Sequence, residues 1–189
     1  MDTKRVEKLV RELIIELGED PTREGLRETP ARMARMYGEI FGGYESDAEL
    51  SVQFSEDSDA VVARDIGFYS VCEHHMLPFF GSIHIAYLPD GKVFGVSKLV
   101  RLVEKYSRRL QIQERLTRNI ADELSSQGVK GVAVVAEAEH LCMKMRGVRS
   151  DARLTSSAFR GAYKDADARE GVMAMIRGRM PDPGRMLKN

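Results

Sequence analysis

VVARDIGFYSVCEHHMLPFFGSIHIAYLPDG, residues 61–91, is the stretch that decides the fold. Residues 61–69 read as a β-strand, and residues 79–88 alternate well enough to be its antiparallel partner. Met76-Leu77-Pro78 marks the end of the first strand, because proline cannot donate to a strand ladder. Asp90-Gly91 is a turn signal, and Val93-Phe94 follows as a short strand. Further downstream, Leu99, Val100, Leu102, Val103 and Tyr106 give residues 97–109 an apolar helical face, and Leu116, Ile120 and Leu124 do the same for 112–126. Residues 131–138 and 153–163 read as strands and 165–177 as a last helix, before a tail that contains Pro and Gly. The order β-β-α-α-β-β predicts an α+β fold: a four-stranded antiparallel sheet with two helices on one face.

N-terminal helices precede this unit. Val6, Leu9, Val10, Leu13, Ile14 and Leu17 recur at helical spacing until Gly18. Thr29-Pro30 reads as a second helix start, with Thr29 as the N-cap and Pro30 at the first helical position. Met33, Met36, Tyr37, Ile40 and Phe41 form that helix's apolar face, with the methionines as core filler. The expected division is a helical appendage over residues 1–45, an acidic linker over 46–59, and the sheet domain over 60–189.

The charge balance is neutral: 29 Lys and Arg against 29 Asp and Glu among 189 residues. No global field therefore points to nucleic acid or a membrane surface, and no apolar run approaches the ~20 residues of a membrane span. The N-terminus mixes charged with apolar residues, unlike the uninterrupted core of a secretory signal, so a cytoplasmic protein is expected. In that compartment two cysteines flanked by histidines favour metal binding over a disulfide.

Cys72-Glu73-His74-His75 puts one thiol and two imidazoles within four residues, and His140-Leu141-Cys142 supplies the second cluster. Thiolate with imidazole is a zinc-preferring donor set. On a continued strand, His140 and Cys142 share a face. Cys72 and His75 converge only in a turn. Cys72, His75 and Cys142 then leave a fourth position open, the catalytic pattern, in which water loses a proton near neutral pH. The alternative is a closed Cys2His2 site that staples the fold.

A second constellation has the character of an anion site. Ser97 reads as the N-cap of its helix, and Lys98 and Arg101 point to one side of the first turn, an arrangement that suits a phosphate. An ordinary basic helix face reads the same way. Arg146 and Arg149 follow Cys142 closely, and no GxxxxGK[ST] occurs. Glu114, in Gln111-Ile112-Gln113-Glu114-Arg115, either favours the helix N-terminus or presents a buried carboxylate to the two N–H groups of guanine.

Together these stretches resemble GTP cyclohydrolase I. The matching runs are ETPARMARMY (28–37), CEHHMLPFFG (72–81), GVSKLVRLVEKYSRRLQIQERLT (95–117), HLCMKMRGV (140–148) and TSSAFRGAY (155–163). The resemblance implies a tunnelling (T-fold) catalytic domain with N-terminal helices, assembled as a homodecamer. It implies Zn2+ held by Cys72, His75 and Cys142, with His74 and His140 as acid–base groups. It assigns Ser97, Lys98, Arg101 and Arg146 to a triphosphate, Gln113 and Glu114 to guanine, and Arg32 to the triphosphate of a neighbouring subunit. The implied reaction takes GTP and water to 7,8-dihydroneopterin triphosphate and formate, the entry to tetrahydrofolate or tetrahydrobiopterin synthesis. Rival readings are another T-fold enzyme acting on pteridines or deazaguanines, and a non-enzymatic zinc module that binds nucleotides. Five clustered Cys and His residues exceed the four ligands a purely structural site needs.

Overall fold

Strand pairing starts where the alternation is clearest and carries further than the alternation does. The structure, a computed structural model, describes residues 1–47, 50, 53–56 and 58–178. Its elements are α1 (Thr3–Glu16), α2 (Thr29–Ile40), β1 (Gln53–Ser55), β2 (Val61–Cys72), β3 (Pro78–Leu88), β4 (Lys92–Phe94), α3 (Val96–Ser107), β5 (Leu110–Gln111), α4 (Gln113–Ser125), β6 (Gly131–His140), α5 (Leu141–Lys144), β7 (Leu154–Gly161) and α6 (Ala166–Ile176).

The main sheet has the order β5-β2-β3-β6-β7. Its four long strands are antiparallel neighbours, which bears out the expected α+β sheet. A fifth, two-residue strand extends it: β5 runs parallel to β2 through Val71↔Leu110 and Cys72↔Gln111. β2 also runs past Tyr69, because Ser70 and Val71 still pair with Phe79 and Pro78. Pro78 is tolerated as the first residue of its strand.

The core lies between this sheet and two helices. Leu99, Leu102 and Val103 of α3, with Leu116, Ile120 and Leu124 of α4, pack on Ile83, Ile85, Tyr87, Val132 and Val134. Each such side chain contributes roughly 1.5–3 kcal/mol by leaving water. The last helix takes the opposite face: Val172 and Ile176 of α6 cover Ala86, Ala133 and Val135. β6 is therefore buried on both faces, which explains the unbroken apolar run from Val132 to Ala136. Glu123 ties α3 to α4 by accepting from Lys105 Nζ at 3.0 Å and from the Tyr106 hydroxyl. Burial and that carboxylate push the Tyr106 phenol up to about 12.

Two helix starts differ from expectation. Thr29 is the first helical residue of α2, not its cap; Arg32 N already donates to Glu28 O, and the Thr29 hydroxyl reaches back to Gly25 O at 3.5 Å. Likewise Gly95, not Ser97, is the N-cap of α3, since Lys98 N donates to Gly95 O at 2.8 Å. The stretch read as a linker contributes β1, which pairs with β4; its residues 48, 49, 51, 52 and 57 lie outside the described residues, as does the tail from 179.

The N-terminal helices dock through Gly43. Its carbonyl accepts from Arg109 Nε at 3.0 Å and Nη2 at 2.7 Å, and its N–H donates to Arg108 O. A Cβ on Gly43 would stand 2.5 Å from Lys105 O, so only glycine allows this approach. Met36, Tyr37, Ile40 and Phe41 then face Phe68–Val71 of β2 across a cavity of about 580 Å³.

Gly81 permits a second close approach, since a Cβ there would run into the Glu137 carbonyl of β6. Gly81→Ala should lower stability by about 1–3 kcal/mol, while Gly67→Ala, whose Cβ meets nothing within 4 Å, should be neutral or slightly stabilising. Thermal melts of both variants check this; equal melting temperatures would contradict the close β3–β6 contact.

Candidate active site

Three strand ends meet at one end of the sheet. β2 stops at Cys72, β3 starts at Pro78, and β6 stops at His140, which pairs in register with Phe79. The turn between β2 and β3 is closed by Met76 N donating to Cys72 O at 2.8 Å and Cys72 N donating to Leu77 O at 2.9 Å. Met76 takes φ +53° to complete it, a left-handed conformation that non-glycine residues rarely adopt. This sharp reversal lets Cys72 and His75 converge although they are three residues apart.

Cys142 arrives by a different route from the one expected. His140 ends β6, and Cys142 sits in the single turn of α5, so the two do not share a strand face. The helical turn instead delivers the Cys142 thiol to Cys72 and His75, and the ligand atoms of all three lie within 4.8 Å of one another. Cys72 Sγ is 4.0 Å from His75 Nδ1. Burial, and the Cys72 thiol beside it, push the Cys142 thiol up from its ordinary value.

The two other histidines of the Cys/His clusters differ in setting. His74 is exposed on the turn, edge-on to His75 with ring centroids 6.3 Å apart. His140 is buried, and its ring stacks on Phe79 at 4.6 Å with 4° between planes. Burial pushes its imidazole below the usual value, and the nearby Glu114 carboxylate opposes that shift. His140 Nε2 lies 2.9 Å from Gln113 Oε1, while Gln113 Nε2 donates to Ala136 O and Leu154 O. The Gln113 side-chain amide is thus engaged inside the chain on both its oxygen and its nitrogen. Glu114 is exposed in the single chain rather than buried.

Glu73 and Arg146 brace the turn. Glu73 takes two hydrogen bonds from the Arg115 guanidinium of α4, which holds its carboxyl below the usual carboxylate range. Arg146 Nη1 donates to His75 Nε2 at 2.9 Å, bringing a cation directly to the Cys/His cluster. The proximity of Arg146 was legible in its spacing from Cys142; the Glu73–Arg115 pair joins residues 42 apart, and no local pattern announces it. Ser97 and Arg101 are exposed and Lys98 half-buried on α3. Among the described residues none of these three bonds to the cluster, and no ion pair includes Arg32, Lys98 or Arg101.

The family model described as GTP cyclohydrolase I matches residues 6–177. This chain belongs to the GTP cyclohydrolase I family. It is 53% identical to the GTP cyclohydrolase 1 of Hyperthermus butylicus over 178 residues, covering 93% of this chain and 92% of the relative. It is 50% identical to that of Aquifex aeolicus over 181 residues (94% and 98%) and 53% identical to that of Streptococcus pneumoniae over 182 residues (93% and 99%). Among solved structures, the apo archaeosine synthase QueF-Like aligns with a TM-score of 0.47 and 16% identity, over 57% of this chain and 98% of its own. Among the described residues no helix is long and apolar enough to cross a membrane.

The donor set in this family member fits a tetrahedral divalent ion. Ligands at zinc's usual distances of about 2.0–2.3 Å stand roughly 3.5–3.8 Å apart, and the 4.0 Å between Cys72 Sγ and His75 Nδ1 is close to that. Two thiols facing each other in a partly buried site also favour a cation that stabilises their thiolates. Metal-free protein titrated with Co2+ should bind one ion per chain and show a thiolate charge-transfer band in the near ultraviolet. Cys142→Ser should abolish both. Undiminished stoichiometric binding by that variant would remove Cys142 from the ligand set.

Proposed function

We propose that this chain hydrolyses GTP at C8 of guanine, giving formate and 7,8-dihydroneopterin triphosphate, with Cys72, His75 and Cys142 as the ligands of Zn2+. The observation that carries this reading is the convergence of that triad with His74 and His140 at one end of the sheet, in a chain of this family. Zinc, when bound, supplies Lewis acidity and makes water nucleophilic near neutral pH.

The chain's own residues do the rest. C8 of guanine is a weak electrophile, and His74 delivers a proton to N7 to strengthen it. Water adds at C8, the C8–N9 bond opens and N9 takes up a proton. His140 serves the second cleavage: a second water adds to the formyl carbon, the imidazole takes its proton and passes it to N7, and C8–N7 breaks as formate leaves. The freed amine then condenses with the carbonyl of the rearranged ribose, losing one water, to form the dihydropterin ring. Ser97, Lys98, Arg101 and Arg146 hold the triphosphate, which does no chemistry; their grip fixes C8 in place. Glu114 accepts from guanine N1–H and its 2-amino group, and its exposure in the single chain means that substrate or a neighbouring chain must cover it.

Arg32 points to that neighbour. It is exposed on α2, and α1 with its C-cap Leu17 leaves Leu9, Leu13, Ile15 and Leu17 exposed. These apolar side chains suit an interface, and we assign the chain to a homo-oligomer, a decamer in the resembling family, working in the cytoplasm. Arg32 from one chain then completes the triphosphate site of another. Dilution to monomers should abolish turnover; a fully active monomer, measured by assay with light scattering, would contradict this.

The function is tested by the near-ultraviolet absorbance of the dihydropterin product. GTP should generate it, chelator should stop it, and ATP should give none, since adenine lacks the N1 proton and the 2-amino group. A site built to bond those groups discriminates by factors on the order of 10⁴. Glu114→Gln should reduce kcat/KM for GTP far more than it reduces melting temperature. Equal use of GTP and ATP by the unaltered protein would remove guanine recognition from Glu114.

A further inference from the structure

We propose that Gln113 is a positioning residue for His140, fixing the imidazole with its proton on Nε2 so that Nδ1 is the nitrogen presented to substrate. This deepens the GTP cyclohydrolase reading and rests on it. The resemblance places Gln113 at the guanine; the structure gives its side chain a different task.

The argument is one of donor and acceptor counting. Gln113 is 1% exposed at the start of α4. One terminal atom of its side chain lies 2.9 Å from Ala136 O and 3.0 Å from Leu154 O. Two carbonyl oxygens around one atom are satisfied only by an amide NH2, because the flipped amide would set three oxygens against one another. The other terminal atom is therefore the carbonyl Oε1, and it lies 2.9 Å from His140 Nε2. An acceptor there requires a donor, so Nε2 carries hydrogen. In a neutral imidazole the lone pair then falls to Nδ1.

Two further contacts make this a built arrangement. The ring plane is held by the stack on Phe79, itself 0% exposed and edge-on to Phe68 at 5.8 Å. The amide is held by carbonyls of two strands: Ala136 belongs to β6, the strand that ends at His140, and Leu154 opens β7. Gln113 thus reads the spacing of β6 and β7 and transmits it to the ring. Nδ1 is not enclosed: among the described residues the one buried side-chain nitrogen or oxygen without a partner is Tyr163 Oη. Among the described residues Nδ1 has no hydrogen bond of its own, and it is not fully enclosed.

The test has two parts. The first needs no variant: 15N NMR of histidine-labelled metal-loaded protein, with the His140 signal assigned by its loss in His140→Gln. The neutral ring should show its proton on Nε2; a proton on Nδ1 overturns the proposal. The second is steady-state kinetics of Gln113→Met, which keeps side-chain volume and removes the amide. Its kcat should fall roughly 10–100-fold, by analogy with the loss on removing a partner that orients a metal-ligating imidazole, with KM for GTP within about twofold and GTP-over-ATP preference intact. A raised KM with lost base preference would return Gln113 to guanine binding. Unchanged kcat would likewise sink the positioning role. If the unaltered protein forms no dihydropterin from GTP, the functional reading itself fails, and that result is separate from both.

Discussion

Phe79 sits where the structure is most constrained. It pairs with Ser70 of β2 on one side and His140 of β6 on the other, and its ring carries the His140 imidazole. The register of β3 with both neighbours sets where β2 and β6 stop, and so where Cys72 and His140 stand. Slipping that register by one residue would turn every side chain of the strand to the opposite face. Gly81, two residues along, lets the strands approach closely enough to hold it. Once the strand ends are placed, a reversal through Met76 and a single helical turn at α5 bring in His75 and Cys142.

Residues far from the cluster act on it through this frame. The Glu73–Arg115 pair ties the turn that carries Cys72 and His75 to α4. Gln113, two residues before Arg115, ties the same helix to His140 and to β6 and β7. The start of α4 therefore touches both the turn that carries Cys72 and His75 and the buried His140 ring. Glu114, between these two residues, is left exposed and free to meet substrate. Hydrogen bonds to buried groups are costly to leave unmade, so this helix start has little freedom to shift without disturbing one side or the other.

Much of this was legible in the sequence because it rests on local pattern. The alternation in β2 and β3, the Leu116, Ile120, Leu124 stripe, and the two Cys/His clusters each announce themselves within a dozen residues. What was not legible depends on contacts across the fold. β5 is two residues long and exists only because Val71 and Cys72 offer it an edge. His140 and Cys142 looked like same-face strand neighbours, but β6 ends between them, since α5 winds up at once. Ser97 has the right chemistry for a cap, yet the helix starts one residue before it, at Val96, with Gly95 as the cap. The engagement of the Gln113 side chain is invisible in sequence because its partners lie 23, 27 and 41 residues away.

On the proposed chemistry, this end of the sheet breaks two bonds to one atom, C8 of guanine, and leaves the triphosphate alone. The most direct measurement is 13C NMR of a reaction with GTP labelled at C8, using metal-loaded protein. The purine C8 signal should be replaced one-for-one by formate, while the three phosphorus signals of a triphosphate persist. A label that stays in the purine while inorganic phosphate appears would contradict it.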